Sequence, residues 1–392
     1  MSTGTMLALV YDKERDPWDE TRGLRLAEVE RPRLDEAAEP FDAENVIVKV
    51  VYAGFCGSDR GIWFRRAFKE MIFDSLKSEK KIRRVIGHEM IGEIVEVGSL
   101  AARRYGYRPK DIVSTESHII CRKCFHCRTG ETHICSDDII IGISRDGCFA
   151  EYIKLPAHPL WPTDTSRIRM KVGALQEPFG NAVHVCTKVD LRGRSVAVFG
   201  CGTIGLFTIL VARAMGASRV VGIEPDPGHR EMARALGADE VFPVSLESSP
   251  ERDPWGADPE IVAAVKAAFP PEGPDVAFEM AGPESSVNNA IQSVRRGGHV
   301  ILFGIKAGAF HIQEFDRIIL NGITLHTVIG RRIFETWYIT KGLLESTTNG
   351  IQEKIHDVIL RGGEDTVVPI AEFDPVSFEK KISSHPKVIL RL

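Results

Sequence analysis

The sequence predicts an α/β protein with two domains, one rich in β-strands and one organised around a doubly wound parallel sheet. A chain of 392 residues is longer than most single domains. Its first hundred residues contain short strand-like runs of β-branched residues, such as 46–52 and 90–98. From about residue 190 onward, strand-like and helix-like runs alternate, which is typical of a parallel sheet with crossover helices.

Residues 62–85 interrupt the strand-rich part with a different pattern. Large apolar side chains recur there at helical spacing, so we predict an amphipathic helical insert that packs its apolar side inward. The apolar residues are Trp63, Phe64, Phe68, Met71, Ile72 and Leu76, and the basic residues among them are Arg65, Arg66, Lys69, Arg83 and Arg84. The basic residues form either a solvated helix face or an entrance suited to an anionic or polyhydroxylated substrate.

The second half of the chain supplies the elements of the predicted parallel sheet. The strand-like runs are 195–199, 219–223, 275–279 and 299–303, and the helix-like runs are 206–215 and 230–236. A strand, a helix and a second strand in this order form a crossover unit, which places consecutive strands parallel in one sheet.

Charge and composition exclude several classes of function. The net charge is −4 at pH 7, and the sequence shows neither a basic stripe for nucleic acid nor a polybasic cluster for a membrane surface. No apolar run reaches the ~18 residues that a membrane span requires. Four of the eight cysteines crowd into one segment of a long chain, which favours metal binding in a reducing cytoplasm over a disulfide framework. We therefore expect a cytoplasmic protein.

The crowded cysteines are Cys121, Cys124, Cys127 and Cys135, with the spacing C-x2-C-x2-C-x7-C. Four thiolates on one loop can fill the tetrahedral coordination of a zinc ion, whereas a chance cluster of unrelated buried thiols is the weaker interpretation. A filled coordination sphere has no position for a substrate. The cluster therefore predicts a structural zinc.

A second candidate metal site combines Cys56, His88 and Glu177. A catalytic zinc takes three protein ligands and keeps one position open for water or substrate. His88 follows a glycine and precedes Glu89, and Glu177 stands just before the predicted parallel-sheet domain. The sequence alone leaves open whether these segments meet, and a histidine after a glycine is also common as a core or turn residue.

A glycine motif lies between a predicted strand and a predicted helix, in the run Gly200-Cys201-Gly202-Thr203-Ile204-Gly205. This context is the one that a dinucleotide-binding fingerprint requires. Gly200 permits a tight turn, Gly202 lets a pyrophosphate approach the backbone, and Gly205 allows the helix and strand to pack closely. A glycine-rich turn in an unrelated α/β sheet is the alternative interpretation.

Glu224 ends the next predicted strand, at the distance from the motif where dinucleotide-binding proteins carry an acidic residue. A carboxylate there accepts hydrogen bonds from the adenosine ribose and repels a 2′-phosphate, so we expect NAD in preference to NADP. Arg230 and His229 lie close by in the sequence and would tolerate some NADP.

Several stretches resemble the medium-chain zinc-dependent alcohol dehydrogenase family, most closely its threonine dehydrogenases. They are residues 56–59, 87–89, 116–121, 146–152, 175–183 and 330–338. The resemblance implies a GroES-like β-rich catalytic domain over 1–177, a Rossmann NAD-binding domain over 178–334, and a return to the catalytic domain over 335–392. It also implies a small-molecule alcohol as substrate and a homotetramer or, failing that, a dimer.

The resemblance further implies two zinc ions per chain. Cys56, His88 and Glu177 would hold the catalytic ion, with Glu89 beside it as a neighbour or alternative ligand, and the four crowded cysteines would hold the structural ion. Ser58 would accept the proton that leaves the substrate hydroxyl. The residues expected against the nicotinamide half of the cofactor are Ala281, Gly282, Gly304, Ile305, Ile329 and Gly330.

The chain departs from this family at Gly61, where threonine dehydrogenases and many polyol dehydrogenases carry a histidine. The pair Asp59-Arg60 is instead similar to archaeal-type glucose dehydrogenases, and the insert 62–85 lengthens the segment before His88. Three functions therefore remain open: a threonine-like alcohol dehydrogenase, a sugar, polyol or cyclitol dehydrogenase, and a non-catalytic sensor that binds NAD and zinc.

Overall fold

The structure is a computed structural model that describes residues 4–245 and 253–392. The chain forms two compact units. The first unit is Met1–Pro178 together with Ile355–Leu392, and the second unit is Phe179–Lys354.

The strands are mostly short, and the longest begin in the first hundred residues. They are β1 Thr5–Asp12, β2 Arg25–Glu30, β3 Asn45–Phe55, β4 Arg83–Val85, β5 Glu89–Val97, β6 Ile112–Thr115, β7 His118–Ile119, β8 Ile139–Ile140, β9 Tyr152–Pro156, β10 Leu160–Pro162, β11 Ser195–Phe199, β12 Arg219–Ile223, β13 Glu240–Phe242, β14 Val276–Glu279, β15 His299–Leu302, β16 Thr324–Thr327, β17 Val367–Pro369 and β18 Val388–Arg391.

The longer helices belong mainly to the second half of the chain. They are α1 Gly57–Trp63, α2 Lys69–Ser78, α3 Ser99–Tyr105, α4 Phe125–Arg128, α5 Met170–Gly173, α6 Gln176–Cys186, α7 Thr203–Ala214, α8 Pro227–Leu236, α9 Pro259–Ala268, α10 Glu284–Ser293, α11 Phe315–Leu320, α12 Glu335–Glu345, α13 Ile351–Lys354 and α14 Pro375–Ser384. Within the described ranges, no helix combines the length and the apolar character needed to cross a bilayer.

The first unit is built on two antiparallel-rich sheets. The larger sheet has the order β10-β6-β5-β3-β18-β17, with β9 also paired to β3, and the smaller has the order β2-β1-β4. β3 is the central strand because it pairs with β5, β9 and β18. An aromatic cluster packs beneath its end: the Phe55 ring stacks on Phe149 at 5.8 Å and meets Phe378 edge-on at 5.1 Å.

The insert 62–85 is helical only in part. α1 ends at Trp63, a turn follows, and α2 occupies Lys69–Ser78 with Ile72 and Leu76 buried as predicted. Met71 is 40% exposed and does not belong to the inward face. The two helices are separate because Phe68 has a φ of 70°, a left-handed conformation that no α-helix contains.

The second unit contains a six-stranded sheet with the order β13-β12-β11-β14-β15-β16, and every neighbouring pair is parallel. The strand order extends in both directions from β11, which is the doubly wound arrangement of dinucleotide-binding folds. The structure therefore confirms the predicted fold class. The strands expected at 195–199, 219–223, 275–279 and 299–303 are β11, β12, β14 and β15.

The second unit extends further along the chain than the boundary at residue 334 expected from the sequence. It continues to Lys354, whose Nζ donates to the Leu236 carbonyl at 3.1 Å, and Thr340 of α12 lies beside Gly180 of α6. The segment just before α12 also contacts α6. Arg331 Nη1 donates to Asn181 Oδ1 at 2.9 Å, and the Gly330 carbonyl lies 2.9 Å from His184 Nδ1.

Candidate active site

Two segments far apart in the sequence meet at one end of the central strand pair in the first unit. Cys56 follows directly after β3, and His88 stands directly before β5. Because β3 and β5 pair antiparallel with Gly54 opposite Glu89, the end of one strand lies beside the start of the other. Gly54 permits this approach, since a Cβ atom there would overlap the Glu89 carboxylate. Strand register therefore brings Cys56 and His88 together.

The meeting point carries a set of metal-ligating atoms. The Cys56 sulfur, a His88 ring nitrogen and a Glu89 carboxylate oxygen all lie within 4.8 Å of one another. His88 and Glu89 are buried, and His88 Nδ1 and Glu89 Oε1 have no hydrogen-bond partner among the described residues. An unsatisfied buried carboxylate oxygen is costly, and a cation bound here would satisfy it. Thiolate, imidazole and carboxylate are all ligands that zinc accepts, so the set fits a zinc ion.

Asp59 supports two of these donors from α1. It is fully buried, its Oδ2 accepts the Cys56 N–H at 2.8 Å, and its Oδ1 lies 3.6 Å from His88 Nδ1. Burial raises the pKa of Asp59 to about 6, with His88 opposing the rise. Burial lowers the pKa of His88, but Asp59 and the Cys56 sulfur outweigh it and raise the pKa to about 10. Zinc requires a neutral ring, so metal binding would displace this proton.

Lys387 approaches the same centre from the C-terminal strand. It precedes β18, whose pairing sets Val388 opposite Phe55. Its side chain is only 1% exposed, and its Nζ forms an ion pair with Glu89 Oε2 and donates to the Phe55 carbonyl at 3.2 Å. Glu89 therefore has one oxygen bound to a lysine and one directed to no other described group. Sequence analysis missed Lys387, because only the antiparallel pairing of β18 with β3 reveals it.

Of the two candidate carboxylates, Glu89 and Glu177, only one belongs to the set of close metal-ligating atoms. Glu177 is buried in the first turn of α6, and its charge contributes to the raised pKa of His88. The set of atoms within 4.8 Å of one another nevertheless consists of Cys56, His88 and Glu89, without Glu177. Glu89, which the resemblance gives as a neighbour or alternative ligand, is the carboxylate inside the set.

The four crowded cysteines form the second set of ligands. Their sulfur atoms also lie within 4.8 Å of one another, on a loop that includes α4. Backbone N–H groups of the loop donate to the sulfurs, for example from Cys121 to Cys135 Sγ at 3.3 Å and from Cys124 to Cys121 Sγ at 3.3 Å. Hydrogen bonds from the Cys127 N–H and from Ser136 together lower the pKa of Cys124 to about 5. Four sulfurs with such support fit a closed structural zinc site.

Gly61 has a steric explanation in the fold. A Cβ atom at this position would lie 2.9 Å from the Cβ atom of Ala67, closer than such atoms approach in proteins. The turn after α1 folds back onto the glycine, whose carbonyl accepts the N–H groups of Arg66 at 2.7 Å and Ala67 at 3.3 Å. The insert therefore occupies the space into which a side chain at position 61 would project.

The basic residues of the insert do not form an unpaired basic entrance. Arg84 is fully buried and bound to Glu79 and Asp146. Arg65 donates to the carbonyls of Ile62 at 2.7 Å and Gly23 at 2.8 Å. The remaining contacts are Arg83 with Asp12, Lys69 with Asp19, and Arg66 over the Phe64 ring. The expectation of a basic entrance from these residues is not supported, because most of their charge is neutralised locally.

The glycine motif lies in the second unit between β11 and α7. Gly200 has a φ of 91°, and a Cβ atom on it would lie 2.8 Å from the Ala281 Cβ atom. Gly205 packs directly on the Gly200 carbonyl, and Gly202 faces open space. Thr203 and Ile204 open α7. An uncovered backbone at a helix N-terminus is the arrangement that binds a pyrophosphate.

Glu224 follows β12 beside this turn. Its Oε2 accepts the Cys201 N–H at 2.6 Å and its Oε1 accepts the Asp226 N–H at 2.9 Å. Burial raises the pKa of Glu224, but hydrogen bonds from His229 and these backbone groups lower it overall, so the carboxylate is charged. Arg230 donates through Nη1 to the carbonyls of Glu224 and Pro225.

Three loops lie along the same sheet edge as the glycine motif, because they follow the parallel strands β14, β15 and β16. They carry the pairs Ala281-Gly282, Gly304-Ile305 and Ile329-Gly330. The buried Glu279 carboxylate, which sequence analysis missed, accepts the N–H groups of Ala281 and Gly282, both at 2.9 Å. Ile305 is 84% exposed and Ile329 is 50% exposed, so apolar surface is available on this edge.

Comparison with known proteins decides the family. Residues 42–165 match the alcohol dehydrogenase GroES-like domain family, and residues 203–345 match the zinc-binding dehydrogenase family. L-threonine 3-dehydrogenase of Caldanaerobacter subterraneus subsp. tengcongensis is 35% identical over 317 residues, which is 81% of this chain and 84% of that protein. The chain belongs to the zinc-dependent medium-chain dehydrogenase family. L-threonine 3-dehydrogenase of Pyrococcus abyssi is also 35% identical, over 83% of this chain and 84% of that protein.

Solved dehydrogenases share the fold over the whole length of this family member. Alcohol dehydrogenase from Thermotoga maritima matches with a TM-score of 0.77 and 21% identity, covering 99% of both chains. Galactitol-1-phosphate dehydrogenase from Escherichia coli matches with a TM-score of 0.75 and 22% identity, covering 99% of this chain and 100% of that chain. Family membership confirms the expected class, a zinc-dependent oxidoreductase acting on CH–OH groups.

Proposed function

We propose that this dehydrogenase oxidises the secondary hydroxyl of a threonine-like substrate with NAD. The set of Cys56, His88 and Glu89 carries the proposal, because it offers three zinc ligands of three chemical types at the end of one antiparallel strand pair. Relatives named L-threonine 3-dehydrogenase support the substrate class. Zinc bound at this set supplies a Lewis acid that lowers the pKa of a substrate hydroxyl.

The residues around the set have separate tasks in this proposal. The Ser58 hydroxyl lies 3.3 Å from His88 Nε2 and is partly exposed, so it would relay the proton that leaves the substrate hydroxyl: it accepts this proton while its own O–H proton passes to water. Asp59 orients both Cys56 and His88 through the contacts described above. Lys387 neutralises Glu89 and limits its movement, and Glu177 adds negative charge near His88.

The second unit would bind the cofactor through the sheet edge described above. The turn of Gly200, Gly202 and Gly205 receives the pyrophosphate, and the charged Glu224 accepts hydrogen bonds from the adenosine ribose. A 2′-phosphate would meet this carboxylate, so we propose NAD in preference to NADP. Arg230 is engaged with backbone carbonyls, which supports the same preference.

We also propose two zinc ions per chain, one at the Cys56 set and one at the four cysteines. The family resemblance supports a homotetramer, or otherwise a dimer, and light scattering of the purified protein would distinguish them.

A sugar or polyol dehydrogenase is the second candidate function. Gly61 favours it. Ala67 occupies the space into which a side chain at position 61 would project, so no side chain there can contact a substrate ammonium. Incubation of zinc-replete protein with NAD and a panel of L-threonine, D-glucose, polyols and sugar acids separates the two. NADH formed from threonine supports the first proposal, NADH formed only from a sugar or polyol supports the second, and no NADH from any alcohol contradicts both.

A further inference from the structure

Arg60 lies on α1, one turn after Cys56, and is partly buried. Its Nη2 donates to the His385 carbonyl at 2.6 Å, which ties the side chain to the C-terminal segment of the first unit. Burial lowers the pKa of Arg60, and the group that opposes this effect is the Cys56 sulfur. The Arg60 N–H also donates to the Cys56 carbonyl at 3.0 Å, so the first turn of α1 places Arg60 on the same side of the helix as the candidate zinc ligand.

Arg60 differs from two fully buried cations of the first unit. Lys387 is bound to Glu89, and Arg84 is bound to two carboxylates. In the part of the chain that the structure describes, Arg60 forms no ion pair, and its hydrogen bond to His385 uses one of its five N–H donors. Desolvation disfavours an unpaired charge, and no described carboxylate pairs with this partly buried guanidinium, so it has capacity for an anion that the described part of the chain does not provide.

We propose that Arg60 binds the carboxylate of a hydroxy-acid substrate whose hydroxyl reacts at the Cys56, His88 and Glu89 set. The inference rests on the proposed function and specifies its substrate class. A guanidinium presents two parallel donors that match a carboxylate. One unpaired cation balances one negative charge, which favours a carboxylate over a phosphate dianion. Since Gly61 offers no ammonium contact, hydroxy acids with and without an amino group would both fit.

The test compares zinc-loaded wild type with zinc-loaded Arg60→Gln on two classes of substrate. The first class is carboxylated alcohols (L-threonine and 3-hydroxybutyrate), and the second is neutral alcohols (2-butanol and 2,3-butanediol). Gln retains a donor for the His385 carbonyl but lacks the charge. We expect kcat/KM for the carboxylated alcohols to fall by roughly 10- to 100-fold, mainly through KM, because a charge-assisted hydrogen bond is lost. The neutral alcohols should change by less than about threefold, which is within the effect of a neutral hydrogen bond.

A binding measurement accompanies the kinetics. Calorimetric titration of 3-oxobutyrate into the enzyme with NAD measures binding without turnover, because the ketone and the oxidised cofactor are both hydride acceptors. We expect its affinity to fall by the same factor in Arg60→Gln and by less in Arg60→Lys, which keeps the charge without the fork. Arg66→Gln is the matched control, since Arg66 is exposed on the turn after α1 and its substitution should leave both substrate classes unchanged.

Equal losses for carboxylated and neutral alcohols, together with a lower melting temperature, would overturn the proposal in favour of a purely structural tether to His385. Unchanged kinetics and unchanged 3-oxobutyrate affinity would overturn it as well. A phosphorylated polyol that is preferred over the hydroxy acids and depends on Arg60 would overturn the choice of carboxylate. Failure of the proposed function is a different result, namely no NADH from any alcohol while 3-oxobutyrate still binds through Arg60. If Arg60→Gln does not fold, Arg60→Lys replaces it in the test. A loss confined to the carboxylated alcohols supports the proposal, and equal losses on both substrate classes overturn it.

Discussion

The two metal-ligand sets of the first unit are assembled in opposite ways. The four-cysteine set takes all its donors from one loop, residues 121–135, and stabilises their sulfurs with backbone N–H groups of the same loop. The Cys56 set takes its donors from the ends of two paired strands and its supporting lysine from a third strand. A local loop can close around an ion, whereas a set held by strand register can keep a position open for a substrate. We therefore expect substitutions in the two sets to have different consequences.

The largest expected effect comes from substituting one cysteine in each of the two sets. Cys56→Ala should lower kcat by roughly a thousandfold or more, because several kcal/mol of Lewis-acid stabilisation disappears. Cys124→Ser should keep most of the activity but lower the melting temperature by several degrees, at about 2–4 °C for each kcal/mol in a unit of this size. Each variant should lose one zinc by elemental analysis. If Cys124→Ser abolishes turnover while Cys56→Ala does not, the assignment of roles is reversed.

Removal of the lysine that supports the Cys56 set should have the next largest effect. Lys387→Met leaves the fully buried Glu89 without its partner, which typically costs about 3–5 kcal/mol. Urea unfolding of the metal-free protein measures the loss. The double variant Lys387→Met with Glu89→Gln should recover most of it, since neither buried charge remains. A double variant as unstable as Lys387→Met alone would show that packing, and not the charge of Glu89, sets the cost.

Zinc affinity distinguishes the two carboxylates near His88. Glu89→Gln should weaken zinc binding at the Cys56 set by roughly 10- to 100-fold, and Glu177→Gln should weaken it less, because only Glu89 lies inside the set. Competition with a chromophoric chelator measures both affinities, and the four-cysteine site serves as an internal control that should not change. The opposite ranking would mean that Glu177 moves into the set when zinc is present.

The smallest expected effect concerns the insert beside the Cys56 set. Gly61→Ala places a Cβ atom 2.9 Å from the Ala67 Cβ atom and should cost about 1 kcal/mol, the lower end of overpacking penalties. The double variant with Ala67→Gly removes the opposing atom and is the matched control. Thermal unfolding of the three proteins checks the result, and an unchanged melting temperature in Gly61→Ala would show that the turn after α1 adjusts freely.

The contrast between a set built from one loop and a set built from distant strands also explains which features the sequence could predict. The four cysteines lie within one short segment and the glycine motif within another, so their spacing alone predicts what they form. Alternating strands and helices predicted the parallel sheet of the second unit, and apolar spacing predicted the burial of Ile72 and Leu76. These features depend on residues that are close in the chain.

Features that depend on distant residues could not be predicted in the same way. Lys387 meets Glu89 only because β18 pairs with β3, and Arg84 is neutralised because Asp146 comes from a later loop. The reason for Gly61 became visible only when the turn after α1 placed Ala67 against it. Spacing in the sequence carries no information about such contacts until the strand register is known.

Anomalous diffraction at the zinc absorption edge, from crystals grown with zinc, would test the central claim most directly. We expect two zinc ions per chain, one bound by the four cysteines and one bound by Cys56, His88 and a carboxylate with one coordination position left to water. Zinc at the four cysteines alone, with the Cys56 set empty, would show that the register of β3 and β5 does not hold a reactive metal centre.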